Sequence, residues 1–233
     1  MAPLSVAITG FTPFGHPRPK NNPSWSAVCA FKEALEAKNA KIKLEARQVE
    51  IQWAQELPVE YEAIDSILMP PGGDFPMDVD LVLHVGQGKK GMVCVEQYAR
   101  SMPYTQLDNK DQVPQKGDGR RWGWPKDWET LKTHVPVYEL VEFLSHDQKW
   151  PEVYPSKDAG LYLCEYTYYT SLAKARMMRE GEKEEDQGPL VLFIHVPADD
   201  DYYTTERTGD LLEAVCRWIH KAKCTQKVSS EDN

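Results

Sequence analysis

A chain of 233 residues, 41% of them apolar, is long enough for one sizeable core and favours one α/β domain over two. Its formal net charge of −9 argues against nucleic acid or an anionic membrane surface as a partner. Met1–Gly10 holds only a short strand-like segment, below signal-peptide length, and nothing approaches the roughly 20 apolar residues of a membrane span.

Leu4–Thr9 reads as a strand, and Gly10-Phe-Thr-Pro-Phe-Gly15 as a tight loop after it. Asn22-Pro23 opens a helix, because Asn caps well and Pro suits the first helical position. Val28, Phe31 and Leu35 give that helix its apolar stripe. Ile42–Ile51 alternates at Ile42, Leu44 and Ala46, which predicts a half-buried strand. Val59–Met69 reads as a second helix, ended by Pro70-Pro-Gly-Gly73. Leu81-Val-Leu-His-Val85 is a continuous apolar run, typical of a central parallel strand covered on both faces. Met92–Glu96 predicts a short strand.

Residues 103–132 are irregular and rich in Gly, Pro, Lys, Asp and Trp, a length that is usually functional or mobile. A helix is expected from about Pro136, with Val137, Leu140, Val141 and Leu144 on one face. Another starts near Cys164 and runs to about Arg179, followed by a charged linker, Glu180–Gln187. Leu190-Val-Leu-Phe-Ile-His-Val-Pro197 reads as a buried strand, and Thr205–Lys223 as a helix presenting Leu211, Leu212, Val215, Trp218 and Ile219. Strands alternating with helices predict, for residues 1–224, a single three-layer α/β/α sandwich around a mostly parallel sheet. Residues 225–233 are polar and expected to be disordered.

Cysteines at 29, 94, 164, 216 and 224 have neither disulfide-framework nor zinc spacing, which fits a reducing cytoplasm. Neither a metal nor another cofactor is expected. Cys29 and Cys216 fall in amphipathic helices, where a thiol packs as a small hydrophobe. Cys164 differs: Gly160 precedes it by one turn, and a thiol at a helix start gains acidity from unpaired N–H groups. His195, near a strand end, is held rigidly at the rim where active sites form. Together they offer a nucleophile and its base. Taken singly, Cys164 also reads as a buried structural thiol, His195 as a hydrogen-bonded strand residue, and Glu96 as an ordinary exposed carboxylate.

Several collinear motifs add to this: Thr9-Gly-Phe-Thr-Pro-Phe-Gly15, Asn22-Pro-Ser-Trp25, Leu57-Pro-Val-Glu-Tyr61, His84-Val-Gly-Gln87, Val95-Glu96, Asp158-Ala-Gly with Tyr162-Leu-Cys164 and Thr167-Tyr-Tyr-Thr-Ser-Leu172, and Phe193-Ile-His-Val-Pro197. Through them the chain resembles the type I pyroglutamyl peptidases (pyrrolidone-carboxylate peptidases), cysteine peptidases that remove N-terminal pyroglutamate, and is closest to their eukaryotic branch. The resemblance implies Cys164 as nucleophile, His195 as general base and Glu96 as the acid that orients it. It also implies Phe11 and Phe14 as the aromatic pair holding the pyrrolidone ring, with Asn22 and Gln87 as polar lining. Asn22 doubles as a helix cap, and core packing is the plain alternative for both phenylalanines. N-terminally pyroglutamylated peptides would be the partners, and a homo-oligomer is left open.

The chain also departs from the family pattern. The interval from His84 to Glu96 is one residue short, with Lys89-Lys90 where small residues are common. After Glu96 only Leu107-Asp-Asn109 is recognisable, the bacterial arginine has no equivalent, and Arg100 nearby has no assigned role. Lys116–Trp128 reads as an insertion bordering the active-site mouth, carrying Trp122, Trp124 and Trp128. Beside the peptidase stand two alternatives. One is a catalytically impaired relative that binds pyroglutamyl peptide ends. The other is a nucleoside- or phosphate-using enzyme, which the lack of GxGxxG or Walker spacing opposes.

Overall fold

The computed structural model describes residues 2–15, 17–43, 46–69, 75–114, 123–146, 150, 152–181, 188–198 and 202–231. Its main sheet begins with β1 (Leu4–Phe11) and β2 (Val49–Leu57), joined through helix α1 (Pro23–Asn39). Asn22 caps α1 as its type predicts, its Oδ1 accepting from the N–H and hydroxyl of Ser24. Helix α2 (Tyr61–Leu68) leads towards β3 (Leu81–Gln87), and β4 (Val93–Glu96) follows. A small hairpin pairs β5 (Tyr98–Arg100) with β6 (Thr130–Lys132), antiparallel. The remaining elements are α3 (Val137–His146), β7 (Val153–Ser156), α4 (Leu163–Gly181), β8 (Leu190–Val196) and α5 (Thr205–Glu231).

The six strands of the main sheet lie in the order β2-β1-β3-β8-β4-β7. All neighbouring pairs are parallel except β4 with β8, so the sheet is mostly parallel, as expected. Side chains alternate across a strand, and this parity decides what reaches the site. Leu4, Val6 and Ile8 of β1, Leu81, Leu83 and Val85 of β3, Val93 and Val95 of β4, and Leu192, Ile194 and Val196 of β8 share one core with α1, α3 and α5. Ala7 and Phe11, Val82, Val191 and Phe193 share the opposite core with α2 and α4. His84, Gly86, Cys94, Glu96 and His195 alternate with the first set, so they face the α4 side.

Several expectations change. The strand placed at 42–51 is shifted to Val49–Leu57. The N–H groups of Ala40, Lys41 and Ile42 instead close the end of α1 on carbonyls of Glu36, Lys38 and Asn39. The strand then runs as far as β1, its parallel partner, requires: Leu4 opposite Val49 to Phe11 opposite Leu57. β5, β6 and β7 are strands of three or four residues that composition did not single out. The last helix continues to Glu231, past the point where a polar, irregular tail was expected. Of the linker expected at Glu180–Gln187, residues 180 and 181 instead end α4, while 182–187 and residues 115–122 lie outside the described residues.

Candidate active site

The chain enters α4 through two left-handed residues, Gly160 at φ 90° and Leu161 at φ 36°. The N–H of Tyr166 makes the first helical bond, to the Tyr162 carbonyl at 2.9 Å. Leu163, Cys164 and Glu165 therefore open the helix, where N–H groups have no partner within it and the dipole is positive. Cys164 stands second. A Cβ placed on Gly86 would lie 3.1 Å from its Sγ and 2.7 Å from Cζ of Phe193, so glycine is what lets this thiol rest on β3. Gly88 has the same relation to His195, with a notional Cβ 2.8 Å from the histidine's own.

β8 presents His195 opposite Gly86 on one neighbour and opposite Cys94 on the other. Cys164 lies close enough to the His195 ring to act on its charge, and Nδ1 of the ring lies 2.8 Å from Oε1 of Glu96. Glu96 is 1% exposed, and its second oxygen has no hydrogen-bond partner. Burial alone would strip the ring of its charge, but the hydrogen bond and charge of Cys164, then those of Glu96, outweigh it. The histidine is pushed up to about 10. A protonated imidazole is the state this arrangement favours for His195. Burial, aided by nearby carboxylates, pushes Cys29, Cys94 and Cys216 up, towards the unreactive protonated form.

The structure thus brings Cys164, His195 and Glu96 together. Phe11 is buried on the same face, its ring 6.3 Å from that of Phe193. Phe14 is partly buried and sits 6.3 Å from the ring of Tyr162, two residues before the cysteine. Asn109 steadies this loop by donating to the Pro13 carbonyl. Both ends of the Asn22 amide are engaged within the fold, since Oδ1 caps α1 and Nδ2 donates to the Thr12 carbonyl at 3.1 Å. It holds the loop between Phe11 and Phe14 from behind. Gln87 ends β3 opposite Val196, half-buried at the rim. Strand parity directs its Cβ away from the face that carries Cys164.

Phe193 is the residue the sequence did not single out. It reads as one more member of an apolar run, yet it lies 4.7 Å from His195, 5.7 Å from Tyr168 and 6.3 Å from Phe11, ring to ring. Its place two residues before His195, on the same strand face, was the available signal. Arg100 also acquires partners, Glu165 and Asp158. Of the three tryptophans expected at the mouth, Trp122 lies outside the described residues. Trp124 and Trp128 are buried instead: Trp124 packs 5.6 Å from Tyr169, and Tyr169 donates to the Trp128 carbonyl. Both sit against the body of α4, beyond its first turn. Among the described residues no cluster of three or more His, Cys, Asp or Glu could hold a metal ion, and no helix is long and apolar enough to cross a membrane.

A sequence profile described as pyroglutamyl peptidase matches residues 4–206. Pyroglutamyl-peptidase 1 of Rattus norvegicus and that of Homo sapiens are each 30% identical over 212 residues, spanning 91% of this chain and 87% of theirs. Among solved structures, the pyroglutamyl peptidase I of Bacillus amyloliquefaciens matches with a TM-score of 0.67 at 20% identity, covering 92% of this chain and 93% of that one. The pyrrolidone carboxyl peptidase of Fervidobacterium islandicum matches at 0.64 and 22%, covering 94% and 99%. Identities this low carry the fold alone.

Proposed function

Because the chain belongs to the pyroglutamyl peptidase family, we propose that it is a cysteine omega-peptidase that cleaves the amide bond after an N-terminal pyroglutamyl residue. The observation that supports this most is the meeting of Cys164, at the start of α4, with His195, whose Nδ1 is hydrogen-bonded to Glu96. The Cys164 thiolate attacks the pyroglutamyl carbonyl carbon, and N–H groups of the first helical turn stabilise the oxyanion. His195 gives its proton to the departing amine, leaving a thioester on Cys164. The neutral ring then takes a proton from water, and the resulting attack releases pyroglutamate and restores the thiolate. Glu96 accepts from Nδ1–H throughout, which fixes the tautomer that aims Nε2 at the sulfur.

Specificity follows from the ring's chemistry. Pyroglutamate is a neutral lactam with one N–H donor and one C=O acceptor, and Phe11 and Phe14 offer it apolar faces. Proline fits such faces equally well, so polar groups at the rim, the loop backbone among them, must read the lactam edge. An analogue lacking those groups leaves the site's own polar atoms unpaired and loses about 10⁴-fold. A charged prolyl nitrogen adds a desolvation cost. The setting we propose is cytoplasmic, where five free thiols survive reduced.

The test is release of aminomethylcoumarin from its pyroglutamyl amide by wild type and Cys164→Ala, with the prolyl amide as control. Turnover by wild type only, and on the pyroglutamyl amide only, is expected. Binding without turnover by wild type would favour the catalytically impaired reading. Comparable kcat/KM on both amides would overturn the pocket even if Cys164 proved catalytic.

A further inference from the structure

Glu165 follows Cys164 directly and is fully buried, which sets a negative charge beside a nucleophile that must itself become an anion. Four donors saturate it. Oε1 accepts from the backbone N–H of Arg100 at 2.9 Å and from its Nε at 2.8 Å. Oε2 accepts from Nη2 of Arg100 at 3.0 Å and from the backbone N–H of Leu161 at 2.8 Å. The same Nη2 reaches Asp158, whose Oδ1 also accepts from the N–H of Gly160 at 3.2 Å. Arg100 ends β5, so its guanidinium ties a strand to both ends of the turn 158–161. That turn holds Leu161 in the left-handed region, a conformation that persists only where surrounding bonds over-determine it.

We propose that Arg100 and Glu165 are a positioning pair for Cys164: they fix the first turn of α4 against β5, and Arg100 neutralises the carboxylate buried beside the nucleophile. The proposal rests on Cys164 being the nucleophile of the hydrolase described above. Two consequences follow from the geometry. A planar guanidinium meets a carboxylate through two parallel bonds and fixes its orientation, which a lysine cannot reproduce. Removing only one partner leaves the other charge uncompensated near the sulfur, and the sign of that charge depends on which one is removed. The pair adjoins Cys164 through Glu165, its neighbour in the chain; the other groups that act on Cys164 are His195 from β8 with Glu96 behind it, Tyr61 from α2, and Tyr162. Both tyrosines are pushed up by burial and stay neutral through the range tested.

The experiment compares wild type, Arg100→Ala, Arg100→Lys, Glu165→Gln and the double variant Arg100→Ala/Glu165→Gln. Each is followed by steady-state kinetics on the pyroglutamyl amide and by the pH midpoint of iodoacetamide labelling at Cys164. In Arg100→Ala, kcat should fall about 10²-fold with KM near wild type, and the labelling midpoint should rise by about one unit. Glu165→Gln should move the midpoint down, the double variant should return it towards wild type, and Arg100→Lys should recover part of kcat. A merely structural pair would move both single variants the same way, or lower the melting temperature and leave the midpoint alone. Either result overturns the proposal. If circular dichroism shows Arg100→Ala unfolded, the midpoint of Glu165→Gln decides: down supports the pair, unchanged or up rejects it. Wild type that labels at Cys164 but does not turn over pyroglutamyl amide would refute the peptidase reading, while the midpoints would still judge the pair.

Discussion

His84 and His195 stand on adjacent strands and both lie against Phe193, with ring centroids 6.1 Å and 4.7 Å from it. Their surroundings drive their charge in opposite directions. His84 is fully buried between two hydroxyls, Thr9 at 2.7 Å from Nδ1 and Ser171 at 2.8 Å from Nε2, and stacks on Phe75. Neutral partners leave burial unopposed, and the ring is pushed down to about 3. His195 is nearly as enclosed but has Cys164 beside it and the Glu96 carboxylate on Nδ1, and it is pushed up to about 10. Depth in the fold therefore does not decide the charge of a histidine here; the chemistry of its two neighbours does. One ring locks β3 to α4, and the other is the proposed carrier of protons.

The largest test of that contrast is removal of each ring. His195→Ala should lower kcat/KM by about 10²–10⁴-fold with the fold intact by circular dichroism. His84→Gln should keep most activity. Equal losses from the two would erase the distinction.

Glu96→Gln should cost less than His195→Ala, because it disturbs an orienting partner and leaves the base in place. It also removes one of the influences that hold the His195 proton. The basic limb of the kcat/KM profile should therefore move to lower pH, and an unmoved limb would mean Glu96 does not act on the ring. Gly86→Ala tests the contact between β3 and Cys164. Its Cβ would meet Phe193 at 2.7 Å, so about 1–3 kcal/mol of stability should be lost in urea unfolding. Unchanged stability and activity would show that α4 can retreat from the sheet.

The smallest effect concerns acid. In the unfolded chain His84 takes a proton near pH 6.5, while in the fold it refuses one until about pH 3. Its contribution to stability is therefore complete above pH 6.5 and declines as pH falls towards 3. His84→Gln, which has no such titration, should narrow the gap in melting temperature between pH 7 and pH 4 by several degrees. An unchanged gap would place the acid sensitivity elsewhere.

Much of this site was legible in the chain. Gly160 before Cys164 marked the helix start, Asn22-Pro23 marked the cap, and the apolar run to Val196 marked a central strand with His195 near its end. What escaped depends on contacts across the chain. β5, β6 and β7 are too short to show a period, and the antiparallel setting of β4 against β8 is fixed by pairing that no local pattern encodes. Arg100 reads as an ordinary surface charge until the fold brings Glu165 and Asp158 to it. Phe193 reads as core because it is core; its importance comes from which rings it touches. Trp124 and Trp128 misled for a related reason, since an irregular segment can still bury its large side chains against a helix.

The most direct test of the account is nitrogen NMR of the imidazole rings between pH 5 and 9, in wild type, Cys164→Ala and His84→Gln. The account predicts that His195 stays doubly protonated through pH 8 in wild type and loses that proton at lower pH once Cys164 is replaced. The signals absent from His84→Gln should belong to a neutral ring that does not titrate. A His195 that titrates near 6.5 in wild type, with or without Cys164, would contradict it.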